Sequence, residues 1–302
     1  IQNEIRLAGS DISAAVKSRE WLLGRVSKVI SERTGEPELL SPGPFVYFGS
    51  YFKGTKVKTV DEFDILVVID SNSGVFRSGG QQVGTGQGST DPNHKYDSKY
   101  LKSDGSGVSP AKLLNWLKGI VAEIVEPLGG EAPERRGQAV TATVKSQNLT
   151  IDLVPAGIFT RDRDGSTFYD IPRGDAANGW IVTSPRADID RLADVAKGKG
   201  NFRNVIRIAK RIKDTYHFTV PSFAVETAIV GYGESSRWWN DLDWDTRGAL
   251  SYLAKAFRDG VVCDPYEPEL NLVDGVDSLA WYADRIERAI GVLAECREIK
   301  DE

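Results

Sequence analysis

Residues 62–70, Glu-Phe-Asp-Ile-Leu-Val-Val-Ile-Asp, restrict this chain more than any other segment. The aliphatic run from Ile65 to Ile69 is short and rich in β-branched residues, which predicts a strand covered on both faces. Side chains alternate along a strand, so Glu62 and Asp64 share one face while Phe63 and Ile65 share the other. Two carboxylates side by side at the end of an apolar run repel each other and lose hydration unless something positive joins them. A divalent cation supplies that charge, and Mg²⁺ favours one or two carboxylates together with substrate phosphates.

The rest of the chain fits around such a strand as an α+β protein. A helix is expected over Ser10–Glu32, where Ile12, Val16, Leu22, Leu23, Val26, Val29 and Ile30 recur near helical spacing. Phe45–Phe48 reads as a short strand. Ser71–Gly107, rich in Gly, Ser, Gln and Asp, reads as one long loop. A helix follows from Ser109-Pro110 to about Val125, then a hairpin of Ala139–Val144 and Leu149–Val154 turning at Gln147-Asn148. Beyond Pro185 the pattern is helical, over Asp188–Lys197, Asn201–Thr215, Ser222–Val230, Ser236–Arg258 and Val276–Lys300. Two domains are expected, a β-rich core with its N-terminal helix over 1–185 and a helical lobe over 186–302.

Asp152 is a third acid of the same kind, on the strand face opposite Ile151 and Leu153. If its strand lies beside that of Glu62, three carboxylates converge. Such a set can hold two Mg²⁺ about 3.5–4 Å apart, an arrangement suited to in-line phosphoryl or nucleotidyl transfer. Gly49-Ser50 begins the turn before the Glu62 strand. There Gly49 would let a phosphate approach the backbone, and Ser50 would donate its hydroxyl and N–H to phosphate oxygens.

Together Gly49-Ser50, Glu62-Phe63-Asp64 and Asp152 resemble the active site of the DNA-polymerase-β-like nucleotidyltransferases. The wording and spacing are most similar to cyclic GMP–AMP synthase and the bacterial cyclic-oligonucleotide synthases, and similar also to oligoadenylate synthases. The resemblance implies a polymerase-β-like core with a mixed sheet, a C-terminal helical lobe and an active site in the cleft between them. It implies that Glu62, Asp64 and Asp152 are catalytic and hold two Mg²⁺, with Mn²⁺ as an alternative ion. Phe202–Lys210 resembles the family helix whose lysine contacts the triphosphate, here Lys210. Pro221–Glu226 resembles a helix start whose serine touches phosphate and whose aromatic ring stacks on a base, here Ser222 and Phe223. Asp264-Pro265, followed by Asn271, resembles a late structural loop of the family.

Composition narrows the partners. With 38 Lys plus Arg against 43 Asp plus Glu, the net charge is −5, unsuited to gripping a long duplex. Two Cys and two His leave no zinc insertion of the kind the vertebrate DNA sensor carries, so direct activation by double-stranded DNA is not expected. Cys263 and Cys296 make no disulfide framework and suit a reducing cytoplasm. The N-terminal residues lack the apolar run of a secretory leader, and the longest aliphatic run is far short of the ~20 residues of a membrane span. The expected substrates are nucleoside triphosphates, ATP or GTP first. The expected product is a cyclic di- or trinucleotide messenger, with bacterial antiphage signalling and an operon-encoded effector or regulator implied by resemblance. Two alternatives stand beside it: a synthase of linear oligonucleotides, and a nucleotide-binding module without catalysis. For Trp238, Trp239 and Trp244 core packing is the default expectation.

Overall fold

A computed structural model of the chain describes residues 9–57, 61–70, 76–78, 81–83, 98–104, 107–160, 167–174 and 179–301. These residues divide into two compact units. One is built on a sheet and takes most of the chain up to residue 187. The other is helical and takes residues from 188 onward, together with an excursion of the chain at 53–57.

The sheet unit begins with α1 (Gly9–Ser31), then β1 (Phe45–Phe48), the single turn α2 (Gly49–Phe52) and β2 (Glu62–Ile69). After β3 (Phe76–Ser78) and β4 (Gln81–Val83) come α3 (Pro110–Val125), β5 (Glu134–Arg136), β6 (Ala139–Val144), β7 (Leu149–Thr160), β8 (Thr167–Pro172) and β9 (Trp180–Thr183). The sheet runs β1-β2-β7-β8-β9-β3-β4, with β6 also on β7 and β5 on β6. β2 pairs with β7 in parallel and β1 with β2 antiparallel, so the sheet is mixed. β7 is the pivot: its first half sits between β2 and β6, and its end pairs with β8.

The alternation read in the sequence sorts β2 into two faces. Phe63, Ile65, Val67 and Ile69 point into the main core with Ile151 and Leu153 of β7, under Leu22, Leu23, Val26 and Ile30 of α1 and Leu113, Leu117 and Ile120 of α3. Each such large apolar side chain, when fully buried, contributes about 1.5–3 kcal/mol. Leu66 and Val68 point the other way, with Val154 and Ala156, toward Val46, Tyr169 and Ile171. Glu62, Asp64 and Asp152 continue this second face beyond its apolar part, and all three are half-buried. α3 starts as its sequence predicts: Ser109 Oγ accepts from the Lys112 N–H at 3.4 Å, and Pro110 takes the first turn.

Several expectations change. Residues 76–78 and 81–83, inside the expected long loop, pair as a short antiparallel hairpin, and β3 touches β9. The rest of that stretch falls mostly outside the described residues. β7 is twice as long as its alternating core suggested. β5, β8 and β9, strands of three to six residues, were not anticipated. The expected turn at Gln147-Asn148 is present, with Asn148 in the left-handed region at φ 47°.

The helical unit holds α4 (Pro185–Ala196, whose first residues belong to the sheet unit), α5 (Phe202–Thr215), α6 (Ser222–Ser235), α7 (Leu242–Asp259) and α8 (Leu279–Asp301). Its core gathers Phe202, Val205 and Ile206 of α5, Val225 and Ile229 of α6, Leu250, Leu253 and Phe257 of α7, and Ile286 of α8. α7 begins at Leu242, not at Ser236, because Asp241 caps it by accepting from the N–H groups of Asp243 and Trp244. Trp238 packs on Phe202 and Tyr232 as expected of a core residue. Trp239 and Trp244 do not: they are exposed, each with an arginine over its ring. Asp264 folds the Asp-Pro loop by accepting from Tyr266 and Glu267 N–H, a structural role as expected. No helix among the described residues is long and apolar enough to cross a membrane.

Candidate active site

Backbone register brings the acids together. In the parallel pair, Asp64 stands opposite Asp152 and Glu62 opposite Thr150. Thr150 N–H and Oγ1 also donate to the Asp61 carbonyl at 2.8 and 3.0 Å, which fastens the start of β2 to β7. As a result Glu62, Asp64 and Asp152 each offer a carboxylate oxygen within 4.8 Å of the others. Three hard oxygen donors at this separation match the donor set of a divalent cation. The side-by-side strands anticipated for these acids are therefore what the chain forms.

Two further residues fix this geometry, and the sequence reading had missed the first. Thr141 of β6 stands opposite Asp152 in the antiparallel register, and its hydroxyl donates to Asp152 Oδ1 at 2.6 Å. A hairpin turning at Gln147-Asn148 already implies that opposition, so the signal was present in the spacing. Gly49 has φ +77°, and a Cβ built on it would lie 1.8 Å from Asp64 Oδ2. The space where a side chain at Gly49 would stand is thus taken by the Asp64 carboxylate. Glycine is required here because the acid packs against its backbone. Ser50 follows in the first turn of α2.

The three residues read from the helical half have other surroundings. Lys210 is buried on α5, and its ammonium donates to Glu226 Oε1 of α6 at 2.5 Å. The same oxygen accepts from Thr55 Oγ1 at 2.5 Å, while Oε2 accepts from Lys53 Nζ at 2.8 Å. Lys53 also pairs with Asp188. Arg203 and Arg207 share the Lys210 side of α5, as helical spacing requires, and donate to the carbonyls of Lys53 and Gly54 at 3.1 and 2.6 Å. That basic face is a grip on residues 53–55, not a face open to solvent. Burial alone would push the Glu226 carboxyl up, but Lys53 and Lys210 outweigh it and hold it at about 2. For Asp188 burial prevails over Lys53 and its carboxyl is pushed up. Ser222 is the first residue of α6 and exposed, with Pro221 before it at the cap position. Phe223 is half-buried, with Lys53 Nζ 4.8 Å from its ring centre.

With the acids so placed, the comparisons with known proteins decide the type. Residues 51–165, which contain Glu62, Asp64 and Asp152, match the model of the Mab-21 protein nucleotidyltransferase domain. This chain is a nucleotidyltransferase. It is also similar to a probable cyclic nucleotide synthase of Bacillus cereus (strain VD146), 24% identical over 281 residues that cover 91% of this chain and 81% of the relative. The match to the domain ends just after β7, so the part of the helical unit from residue 188 onward lies outside it, within reach of the longer relative alone.

Proposed function

We propose that this nucleotidyltransferase condenses nucleoside triphosphates, ATP or GTP first, into a cyclic di- or trinucleotide messenger and releases pyrophosphate at each joining step. The observation that carries the proposal is the convergence of Glu62, Asp64 and Asp152 on register-paired strands inside the matched nucleotidyltransferase domain. The similarity to a probable cyclic nucleotide synthase of Bacillus cereus supports the cyclic product.

The three acids fit a pair of Mg²⁺, or Mn²⁺, by number, by hardness and by mutual distance. When bound, the ions would acidify the attacking hydroxyl and offset the charge of the leaving pyrophosphate. The chain's own groups do the rest. In each step the acceptor hydroxyl oxygen bonds to the α-phosphorus of the donor, the bond from that phosphorus to the bridging oxygen breaks, and pyrophosphate leaves. Asp152, oriented by Thr141, is the carboxylate suited to take the hydroxyl proton. Ser50 is suited to donate to donor phosphate oxygens. Lys210, Ser222 and Phe223 are carried in the proposal as triphosphate and base contacts. For Lys210 this entails leaving Glu226, which keeps Lys53 and Thr55. A role in bacterial antiphage signalling, in the cytoplasm and with an effector that senses the product, is the biological setting of this reading.

The test is incubation of the protein with the four ribonucleoside triphosphates and Mg²⁺, followed by phosphatase treatment and mass spectrometry. A phosphatase-resistant product of two or three nucleotides is expected. A product that phosphatase degrades identifies a linear-oligonucleotide synthase instead. Nucleotide binding by calorimetry with no pyrophosphate release across metals and pH identifies a module without catalysis.

A further inference from the structure

Arg19 stands inside the apolar stripe of α1. It follows Ala15 by four residues and precedes Leu22 and Leu23 by three and four, and like them it is buried. That spacing calls for an apolar side chain. A guanidinium placed there loses hydration and has to recover it from its neighbours.

The neighbours are three aromatic rings and one carboxylate. The guanidinium carbon lies 4.8 Å from the ring centre of Tyr47 on β1, 5.5 Å from Phe52 on α2 and 4.9 Å from Phe63 on β2. These are distances at which a cation is attracted to a ring. Its Nε donates to Glu20 Oε1 at 2.9 Å, Nη2 donates to the same oxygen, and the Tyr47 hydroxyl donates there too, at 3.3 Å. The rings also hold each other. Tyr47 stacks on Phe52 with centres 5.0 Å apart, and Tyr51 meets Phe63 at 4.9 Å with the ring planes perpendicular. Beside Arg19, Ser18 Oγ accepts from Gln147 Nε2 at 2.8 Å, at the turn between β6 and β7. Residues 18–20 of α1 therefore touch α2, β2 and the β6–β7 turn. Those elements carry Ser50, then Glu62 and Asp64, then Thr141 and Asp152.

We propose that Arg19 is a positioning residue for nucleotidyl transfer, fixing the α2 turn and the acidic end of β2 from the opposite side of the sheet. The proposal rests on the nucleotidyl-transfer reading above and extends it to a group outside the site. Phe63 lies between Glu62 and Asp64 and points into the core under α1. Holding its ring fixes the backbone from which both acids project on the other face. Tyr51 and Phe52 follow Ser50 in the single turn α2, so holding their rings fixes the level of Ser50 and of Gly49, on which Asp64 packs. The planar fork does this because it lies flat against rings while its edge donates to Glu20. An apolar side chain at this position fills the volume but leaves the rings without a common anchor.

The experiment measures three quantities: kcat for pyrophosphate release from the four triphosphates with Mg²⁺, Mn²⁺ affinity by magnetic resonance of the ion, and the urea midpoint. Wild type is compared with Arg19→Met, Arg19→Lys and Val26→Ala. Methionine suits the apolar stripe, so a folded protein is expected. Val26 is buried two turns further along α1, and its truncation loosens the helix without altering the ring contacts of Arg19. Arg19→Met is expected to lower kcat and Mn²⁺ affinity about 10–100-fold. Arg19→Lys keeps the charge and loses the fork, and is expected to stay closer to Arg19→Met than to wild type. Val26→Ala is expected to lower the urea midpoint and leave kcat and Mn²⁺ affinity as in wild type. Wild-type kcat and affinity in folded Arg19→Met would overturn the proposal, as would equal losses in Val26→Ala, which mark a role in stability alone. If Arg19→Met does not fold, Arg19→Lys decides, and wild-type values there overturn the proposal. A wild-type protein that releases no pyrophosphate from any of the four would overturn the reading on which it rests as well.

Discussion

Asp152 in the sheet unit and Glu226 in the helical unit are both acids set among apolar neighbours, and the protein treats them differently. Glu226 is 4% exposed, and Lys53 and Lys210, each 7% exposed, bring two ammoniums to its two oxygens. With Asp188 on Lys53, two positive and two negative charges close the account inside the unit. Asp152 is half-buried, accepts from the neutral hydroxyl of Thr141, and has two more carboxylates within 4.8 Å. A cluster that carries its own countercharge holds chain segments together. Three carboxylates that converge within 4.8 Å match instead the donor set of a divalent cation.

The largest effect that tests this contrast is loss of turnover. Asp64→Asn should lower nucleotidyl transfer by about 10³-fold or more, well beyond the roughly 10–100-fold typical of an outer-shell partner, with the unfolding midpoint held within a few degrees. Retained activity would remove Asp64 from the metal-binding role. Glu226→Ala should do the reverse of Asp64→Asn and act first on stability. The buried Lys210 loses this countercharge while Lys53 keeps Asp188, and a cost of about 3–5 kcal/mol is expected in urea unfolding. Replacing Lys210 and Glu226 together by apolar residues of similar size, which leaves Lys53 paired with Asp188, should restore much of it; if it does not, the cluster does more than neutralise itself.

Acid should weaken the helical unit for the same reason. The Glu226 carboxyl titrates at about 2 in the fold against 4.5 ordinarily, so the unfolded chain binds its proton more readily. Its stabilisation is complete above pH 4.5 and is lost as the pH falls through 4.5 toward 2, to the extent of about 3 kcal/mol. Asp188, pushed up by burial, has the opposite sign and offsets part of that slope near pH 4. Urea midpoints at pH 7, 4.5 and 2.5 measure the balance, and Glu226→Gln should flatten it; an unchanged slope would show that Glu226 does not titrate in this range. The smallest effect concerns orientation: Thr141→Val should weaken Mn²⁺ binding, followed by magnetic resonance of the ion, about 10–100-fold with little change in stability. Unchanged binding would mean that Asp152 is positioned by its strand alone.

The two clusters also differ in how far the sequence reveals them. Glu62, Asp64 and Asp152 lie in alternating strands, so their faces follow from a period of two, and only the adjacency of the strands had to be supposed. Lys53, Thr55, Lys210 and Glu226 meet from a loop and two helices. Their contacts are set by packing between elements, for which no periodic pattern in the chain stands as a marker. The same limit hid the packing of Asp64 over Gly49, since that carboxylate arrives from a different element. The main helices were legible because apolar residues recur at helical spacing. The start of α7 was misread because Trp238 and Trp239 extend that pattern past the Asp241 cap. The short strands β5, β8 and β9 exist through pairing with longer neighbours and carry little alternation of their own.

The parallel ladder between β2 and β7 has a consequence for variation. The level at which Asp64 meets Asp152 is set by main-chain pairing from Glu62↔Thr150 to Ile69↔Gly157. The long connection between these strands, with α3, β5 and β6 inside it, does not determine that level. Insertions or deletions there, outside β6 and its Thr141, can therefore accumulate in relatives, or be engineered, without detuning the chemistry. A slip of the ladder by a single residue would carry one acid to the opposite side of the sheet and end it.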